Sequence, residues 1–466
     1  MTDEVPDGAA ARAAYRSGAL TPLDVLERTL ARIESRNPEL NAIAYLDVDG
    51  ARAAATASTR RWQDGRALGP LDGLPVTIKD SINAAGMPWR HGCAAFADLP
   101  DATVDSPPSA RLREAGAVIV GKTTMPDFGM MAAGVSSLYG VTRNPWDPSA
   151  NTGGSSAGAG ACLAAGIGYS SVGSDIAGSV RLPAGHCGLV ALKPTQGRIP
   201  HLASSTMRSA GPMGRTVDDV IDLYDVLSLP DPRDSLSLAP EAGTTPREPL
   251  DPRGIRVGVL TDLGYGGRTD DAVLAVLSDA ASALRDGGAA VVTMAPVFDD
   301  DPYAALDRVF QVRARAELES IPTPSRDLVH PAVRDWCAQA ADYTATDFTR
   351  FSEVVARSAS RMQSACAEYD FVIAPVLPVV GFGADEPGVD PAQPLGHCGF
   401  TAWFNQTGQP ASAVCFGMSG GMPVGIQVVG PRFADRRVLA LTKWLEAVRP
   451  FDMTWPLTTY AEGSAM

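Results

Sequence analysis

The sequence predicts an α/β fold in which helices cover a parallel or mixed β-sheet. Three stretches carry this prediction, because helical patterns alternate within them with short β-rich apolar runs. Residues 109–121 show a helix and then a strand, residues 255–294 a strand, a helix and a strand, and residues 424–448 a strand and a helix. The length of 466 residues fits two or three domains or one large α/β unit.

The first part of the chain, residues 7–60, is predicted to be helical. Thr21 carries the hydroxyl of an N-cap and Pro22 suits the first helical position, so one helix is predicted to begin there. Apolar residues then recur at helical spacing. The Asn37-Pro38 pair is predicted to end this helix, because a residue that precedes proline disfavours the helical conformation.

Three lysines directly follow apolar runs that are predicted to be strands. They are Lys79, after residues 74–78, Lys122 and Lys193. A surface position at a strand end is the more common situation for lysine. A buried lysine could act as a base, because burial among apolar neighbours lowers its pKa from about 10.4. The spacing alone does not choose among the three.

The stretch of residues 151–181 is rich in glycine and serine and nearly free of charge, yet its middle, ACLAAGIG, is apolar. Buried glycine-rich backbone usually approaches another group closely. The turns GGSSAG and DIAGSVR flank this middle, and N–H groups in a turn of small residues can converge on one anion. Amide hydrolysis needs a nucleophile, a proton acceptor and donors to the oxyanion. The stretch therefore predicts a hydrolytic site that joins serines of both turns.

A serine hydrolase with a histidine base is one alternative. The pattern GxSxG occurs at residues 154–158 and 417–421. It is a weak signal unless it joins a strand to a helix and a histidine follows late in the chain. The second match lies after the last histidine, His397, and none of the five histidines has a comparable context. We therefore favour a lysine base.

Composition narrows the expected partners and compartment. The formal net charge is −14 and no basic stretch offsets it, so nucleic acid and anionic membranes are poor partners. No run approaches the roughly 18 apolar residues of a spanning helix, and the acidic start MTDEVPDGAA lacks the core of a signal peptide. Seven scattered cysteines without a CxxC pair indicate reduced thiols and a cytoplasmic protein. The His-Cys pairs at 186–187 and 397–398 are more typical of packing than of a metal site, so no metal is predicted.

The rest of the chain alternates ordered and irregular parts. A long helix is predicted over residues 346–366 and a strand over residues 371–375. Residues 229–253 and 378–400 are predicted to be loops, because proline, glycine and polar residues cluster there. Residues 297–345 are predicted to be irregular, with helical pieces.

Taken together, these segments resemble the amidase signature family. GGSSAG and GSDIAGSVRLPA stand where the family has GGSSGG and GTDxGGSIRxPA, and the spacing from Ser155 to Ser179 is that of the family. Further segments resemble the family in the same order: GPLDGLPVTIKDSINAAG, GKTTMPDF, RNPWDPSANTGGSS, GLVALKPTQGRI, NQTGQPASAV and GMPVGIQVVGPRF. The resemblance covers nearly the whole chain. It implies one domain over residues 1–466, with a large mixed β-sheet covered on both faces by helices.

By this resemblance, Ser179 would be the nucleophile, Ser155 the bridging serine after a cis peptide bond, and Lys79 the terminal base. Lys79 would accept a proton through Ser155 as Ser179 attacks the carbonyl, and water would then hydrolyse the acyl-enzyme. Asp175 and Arg181 would hold the loop. The oxyanion hole would consist of the backbone N–H groups of Ile176, Ala177, Gly178 and Ser179.

The chain departs from the family pattern at several positions. Ala177 and Ala157 replace usual glycines, and each position must have a backbone angle that alanine tolerates. Residues 129–135 are apolar where glutamine-dependent transamidase subunits are more polar, and Asp127 stands where those subunits usually have Glu. The apolar segment implies an apolar pocket mouth. We expect substrate contacts from Gly129, Met130 and Met131.

The resemblance implies a stand-alone hydrolase of acyl C–N bonds in amides, anilides or carbamates (urethanes), without a cofactor. Residues 69–200 would hold the catalytic signature and residues 297–400 would vary with the substrate. The alternative is the glutaminase (A) subunit of a tRNA-dependent amidotransferase, against which the acidic charge and the apolar residues 129–135 count. A non-catalytic binding protein is disfavoured by the intact lysine and serines. A small-molecule amide or carbamate is the expected partner, and a homodimer fits because dimers are common among soluble enzymes.

Overall fold

The computed structural model describes Val5 and residues 7–457. In these residues, β4 and β5 pair with each other and the other eleven strands form one large sheet. In chain order the strands are β1 (Ile43–Leu46), β2 (Pro75–Lys79), β3 (Val118–Thr123), β4 (Val135–Ser136), β5 (Gly140–Val141), β6 (Ser170–Asp175), β7 (Val190–Lys193), β8 (Ser209–Gly214), β9 (Arg256–Val259), β10 (Ala290–Thr293), β11 (Phe371–Pro375), β12 (Ala411–Ser419) and β13 (Met422–Val429).

The large sheet confirms the predicted mixed β-sheet. Its strand order is β1-β3-β2-β6-β8-β7-β12-β13-β11-β9-β10. The pairs β2–β3, β2–β6, β9–β10 and β9–β11 are parallel, and the strands between these two groups pair antiparallel. Parallel neighbours end at the same edge of a sheet, so the residues that follow β2 and β6 lie close together.

Helices cover both faces of the sheet. In chain order they are α1 (Gly8–Ser17), α2 (Pro22–Leu40), α3 (Val48–Gln63), α4 (Pro107–Glu114), α5 (Ala157–Ala164), α6 (Arg181–Cys187), α7 (Val217–Leu227), α8 (Asp271–Asp286), α9 (Tyr303–Ser320), α10 (Pro331–Ala338), α11 (Ala345–Cys366), α12 (Gly399–Gln406) and α13 (Asp435–Val448). Short 3₁₀ turns lie among them, one of them at Asp127–Gly129.

Two apolar cores lie on the two faces of the sheet. In β11, Val372 and Ala374 pack into one core while Phe371 and Ile373 pack into the other, as the alternation of side chains along a strand requires. Helices α5, α6, α9, α11 and α12 contribute to the first core, and α4, α7, α8 and α13 to the second. Because both faces are covered, every residue of β2 and β6 is buried.

The prediction that residues 7–60 are helical throughout is wrong at β1, whose apolar and aromatic residues pair antiparallel with β3 at the edge of the sheet. Helix α2 begins at Pro22 with a capping box, as predicted. It does not end at Asn37-Pro38 but runs through Pro38 to Leu40. Proline in a last turn costs little hydrogen bonding, and the side chain of Asn37 accepts the N–H groups of two residues beyond the helix.

Residues 297–345 are more regular than predicted. They contain the 18-residue helix α9 and the shorter α10, whose buried apolar side chains pack into the first core. The helix predicted over residues 346–366 is α11, which begins one residue earlier after a capping box. The signal-peptide prediction falls largely on residues 1–4 and 6, outside the described residues. No helix in the described part of the chain is long and apolar enough to cross a membrane.

Candidate active site

The predicted lysine and serines meet at the edge where β2 and β6 end. Lys79 is the last residue of β2, and Ser179 lies in the turn between β6 and α6. Ser155 lies just before α5, whose N-terminal end packs between these strands. All three side chains are buried. The parallel pairing of β2 with β6 therefore joins segments that are far apart in the sequence.

Lys79 is hydrogen-bonded to the predicted bridging serine. Its Nζ lies 2.7 Å from Oγ of Ser155 and 3.1 Å from Oγ of Ser174. The Gly154–Ser155 peptide bond is cis, as the resemblance implied. Burial lowers the pKa of Lys79 to about 7, although the nearby carboxylate of Asp175 opposes this shift. A substantial fraction of Lys79 is therefore neutral near pH 7 and able to accept a proton.

The other two candidate lysines have different surroundings. The Nζ of Lys122 donates to three backbone carbonyl oxygens, and that of Lys193 donates to the carbonyl oxygen of Pro194. Burial lowers the pKa of Lys122 to about 8 and that of Lys193 to about 7. All three lysines are buried, so burial does not distinguish them. The contact with Ser155 does.

The turn after β6 is folded around the carboxylate of Asp175. This carboxylate accepts hydrogen bonds from the N–H groups of Gly178, at 2.8 Å, and Val180, at 3.2 Å. The expectation that the Gly178 N–H belongs to the oxyanion hole therefore needs correction, because Asp175 already occupies it. Within the described chain, the N–H groups of the other three predicted donors make no hydrogen bond: Ile176, Ala177 and Ser179.

The backbone angles explain why two alanines are tolerated in this region. Gly178 has φ of 124°, and a Cβ there would overlap the hydroxyl of Thr401, so glycine is needed at this position. Ala177 has no positive φ, and its carbonyl oxygen accepts the Thr401 hydroxyl at 2.6 Å. Ala157 is the first residue of α5 and has helical neighbours. Both alanines thus occupy positions where a Cβ causes no strain.

A buried ion pair supports the turn from behind. Arg181 binds the carboxylate of Asp175 in a bidentate manner, at 2.9 and 3.0 Å, and both side chains are fully buried. Burial alone would raise the pKa of Asp175, but the charge and hydrogen bonds of Arg181 and the amide of Asn405 lower it to about 2. Arg181 also donates to Asn405 at 2.7 Å and to Gln427 at 3.1 Å. The network leaves the turn little freedom to move.

Sequence reasoning did not identify Ser174, Asn405 or Gln427 as part of the site. Asn405 follows the apolar α12 residues, and Gln427 lies on β13 among valines and isoleucine. The amide of Gln427 donates to two backbone carbonyls and its oxygen accepts from Arg181. A polar residue in an otherwise buried apolar run was the available signal, because such a group needs partners inside the protein.

The two serines face a narrow cavity of about 50 Å³. One side of it, here called the serine wall, consists of Ser155, Ser174, Ile176 and Ser179. The apolar wall consists of Met125, Phe128, Gly129 and Met130. Two of the three predicted substrate contacts, Gly129 and Met130, therefore line the cavity. The third, Met131, does not line it, because its side chain is fully buried in the first core.

The remaining side of the cavity is charged, which the sequence did not predict. This charged wall consists of His91, Arg208, Arg313 and Glu317. Glu317 forms a short contact with Nδ1 of His91, whose ring stacks on Trp89. The expected apolar mouth is thus only one half of the cavity. Arg313 and Glu317 lie on α9, inside the segment 297–400 that was expected to vary with the substrate.

The alternative serine and the His-Cys pairs lie elsewhere. Ser156 is buried at the start of α5, does not line the cavity, and has its hydroxyl 3.4 Å from the carbonyl oxygen of Ser174. The rings of His186 and His397 are buried and pack at right angles or tilted against Phe382. In the described residues, no three His, Cys, Asp or Glu side chains are grouped so that they could hold a metal ion.

Comparisons with known proteins match the whole length of this fold. The profile of the Amidase family matches residues 24–439. The (A) subunit of glutamyl-tRNA(Gln) amidotransferase from Chloroflexus aurantiacus is 33% identical over 93% of this chain and 96% of that protein, and an acylamidase of Rhodococcus erythropolis is 32% identical over 94% of each. A solved bacterial aryl acylamidase of the amidase signature enzymes has a TM-score of 0.87 at 25% identity, over 96% of this chain and 97% of that one. The 6-aminohexanoate cyclic dimer hydrolase with its substrate has a TM-score of 0.86 at 28% identity, over 97% and 99%.

Proposed function

The chain belongs to the amidase signature family of hydrolases that act on C–N bonds, and from this premise we propose that it hydrolyses small amides, anilides or carbamates through Ser179, Ser155 and Lys79. The observation that carries the proposal is the 2.7 Å contact of Lys79 with Ser155 beside the cavity that Ser155 and Ser179 share. Lys79 has a lowered pKa, as a base that works near neutral pH requires.

In the proposed first step, Oγ of Ser179 attacks the carbonyl carbon of the substrate. The proton of Ser179 passes to Oγ of Ser155 while the proton of Ser155 passes to Nζ of neutral Lys79. The electron pair of the carbonyl π bond moves to its oxygen. The free N–H groups of Ile176, Ala177 and Ser179 would stabilise that oxyanion, and one such donor contributes about 3 to 4 kcal/mol to lowering the barrier.

In the proposed second step, the tetrahedral intermediate collapses and the C–N bond breaks. The proton held by Lys79 returns through Ser155 to the leaving nitrogen, so that the amine departs neutral. Water then attacks the acyl-Ser179 ester with the same relay as base, which releases the acid and restores Ser179. Within the described chain no hydrogen bond joins the hydroxyls of Ser155 and Ser179, and we expect substrate binding to close this contact.

The substrate class is proposed from the cavity and the relatives. The apolar wall suits an aryl or alkyl group next to the carbonyl. An acylamidase and an aryl acylamidase are among the similar proteins. Carbamates are included because they present a similar carbonyl to the same nucleophile. No cofactor takes part in the proposed reaction.

A second candidate function is the glutaminase (A) subunit of a tRNA-dependent amidotransferase. The relatives that carry the name of this glutamyl-tRNA(Gln) amidotransferase component favour it, because several of them are 32 or 33% identical over more than nine-tenths of this chain. The same three residues would then release ammonia from glutamine, and the protein would work in a complex that handles tRNA. The apolar wall and the formal net charge of −14 favour the stand-alone hydrolase.

Hydrolysis by the purified chain alone tests the proposal. The substrates are a primary amide, an anilide, a phenyl carbamate and L-glutamine, with product acid or amine measured by liquid chromatography. We expect turnover of the anilide or carbamate without any other protein or RNA. Turnover of glutamine alone, or turnover that requires added partner proteins and tRNA, would favour the amidotransferase role and contradict the stand-alone enzyme.

A further inference from the structure

The charged wall contains two arginines that no carboxylate of the described chain neutralises. Arg208 precedes β8, is half-buried, and donates one hydrogen bond, from Nη2 to the carbonyl oxygen of Ala203 at 3.0 Å. Its Nε is buried and has no hydrogen-bond partner. Arg313 is exposed on α9 and forms no ion pair within the described residues. Arginine prefers bidentate acceptors such as carboxylates, so an unsatisfied pair is unusual.

The two guanidinium groups lie close enough to affect each other. Burial lowers the pKa of Arg208, and the positive charge of Arg313 lowers it further, whereas Glu317 opposes the shift. Glu317 is the only carboxylate on this wall, and His91 already contacts it. The charged wall therefore has two positive charges, with one carboxylate that has another partner. A bound anion would relieve the repulsion between the arginines and satisfy the buried Nε.

The position of these arginines connects them to the reaction. They line the same cavity as Ser155 and Ser179, across from the serine wall. An anionic group bound there would belong to the molecule whose carbonyl reaches Ser179. A cationic substrate would instead meet two like charges, which disfavours it.

We propose that Arg208 and Arg313 bind a carboxylate of the substrate, so that the enzyme prefers amides that carry an anionic carboxylate in addition to the scissile bond. This inference rests on the proposed function for the location of the reacting carbonyl. The carboxylate can belong to the acyl part, as in the monoanilide of a dicarboxylic acid, or to the amine part, as in an N-acyl aminobenzoate. Both share the chemistry that the two guanidinium groups recognise.

Matched substrates test the preference. Glutaryl p-nitroanilide carries the carboxylate on the acyl side, its methyl ester is neutral at similar length, and 5-aminovaleryl p-nitroanilide is cationic. For the amine side, 3-acetamidobenzoate is compared with acetanilide. We expect kcat/KM at least tenfold higher for the anionic member of one pair and lowest for the cation, as charge-assisted hydrogen bonds to two arginines imply. Equal kcat/KM in both pairs, or a preference for the cation, would overturn the proposal.

Arg313→Gln tests the assignment to this residue, because an exposed side chain on a helix can be changed without loss of the fold. The ratio of kcat/KM between the anionic and neutral substrates should fall about tenfold. Arg315→Gln is the matched control, since Arg315 lies on the same helix and pairs with Glu319 at 2.8 Å, away from the cavity. A ratio that falls equally in both variants would contradict a direct contact.

Binding without turnover separates this inference from the proposed function. Calorimetry with the Ser179→Ala variant compares glutaryl anilide with its methyl ester. A dissociation constant at least tenfold lower for the anion supports the carboxylate site even where the wild type hydrolyses no amide, a result that would contradict the proposed function alone. Equal dissociation constants would overturn the carboxylate site while hydrolysis of neutral anilides leaves the proposed function standing.

Discussion

The serine wall and the charged wall of one cavity differ in how completely their polar groups are satisfied. Behind the serine wall, Lys79 is bonded to two serines, and Asp175 and Arg181 bind each other and the amides of Asn405 and Gln427. On the charged wall, the arginines lack carboxylate partners, and Arg313 faces solvent. Groups that are buried and fully bonded are held in place, whereas unsatisfied groups are available to a ligand.

The comparison assigns different roles to the two walls. The serine wall would perform the chemistry, which requires groups that are oriented before the substrate arrives. The charged wall would select the substrate, because its groups gain partners only when a suitable ligand binds. Changes to the first should therefore affect turnover and stability, and changes to the second should affect the choice of substrate.

The largest expected effect on this comparison comes from Lys79→Ala. Loss of a general base lowers kcat/KM by about 10²- to 10⁴-fold. Because Lys79 must be neutral to accept a proton, kcat/KM of the wild type should rise as the pH increases through about 7 and level off above it. The deficit of the variant should therefore be largest above pH 7 and shrink below it. The measurement is a pH profile of kcat/KM between pH 5 and 9 on an anilide.

Lys193→Met is the matched control for this profile. Lys193 is also fully buried and its pKa is also lowered to about 7, but it contacts the carbonyl oxygen of Pro194 and neither serine. A folded Lys193→Met protein should keep the wild-type inflection near pH 7. Loss of the inflection in this variant, with its retention in Lys79→Ala, would remove Lys79 from the proposed relay.

Stability should separate the two walls by a smaller but measurable amount. Asp175→Asn leaves the buried guanidinium of Arg181 without a counter-charge, and breaking a buried pair in this way costs about 3 to 5 kcal/mol. Arg313→Gln removes an exposed side chain without an ion pair, and should change the free energy of unfolding by about 0.5 kcal/mol or less. Urea unfolding followed by tryptophan fluorescence measures both. Similar losses in the two variants would contradict the difference between the walls.

Much of the fold could be predicted from local sequence pattern. Helices α11 and α13 and strands β2 and β11 follow from periodicity, caps and short apolar runs, and the mixed sheet follows from their alternation. Strand β1 could not be predicted in this way, because its four residues lie between helices and gain their strand conformation from pairing with β3. Helix α9 was missed for a similar reason, since its polar and apolar residues have no clear order until the core is known.

The candidate site divides in the same way. Ser155 and Ser179 stand in recognisable motifs, but Lys79, Lys122 and Lys193 share one local pattern, and only the distance to Ser155 separates them. The charged wall could not be predicted at all. Its residues come from three distant parts of the chain, and nothing in the local sequence of Arg208 or Arg313 indicates that they face one cavity.

Covalent labelling of the nucleophile tests the central claim most directly. The purified chain is treated with phenylmethylsulfonyl fluoride and digested with trypsin, and fragment ions locate the adduct. Fragmentation is essential because residues 144–181 lie between two arginines without an internal lysine or arginine, so Ser155, Ser156 and Ser179 share one peptide. The account predicts a single adduct on Ser179 together with loss of hydrolysis. An adduct on Ser155, Ser156 or Ser419 instead, with Ser179 unmodified in the inactivated protein, would contradict it.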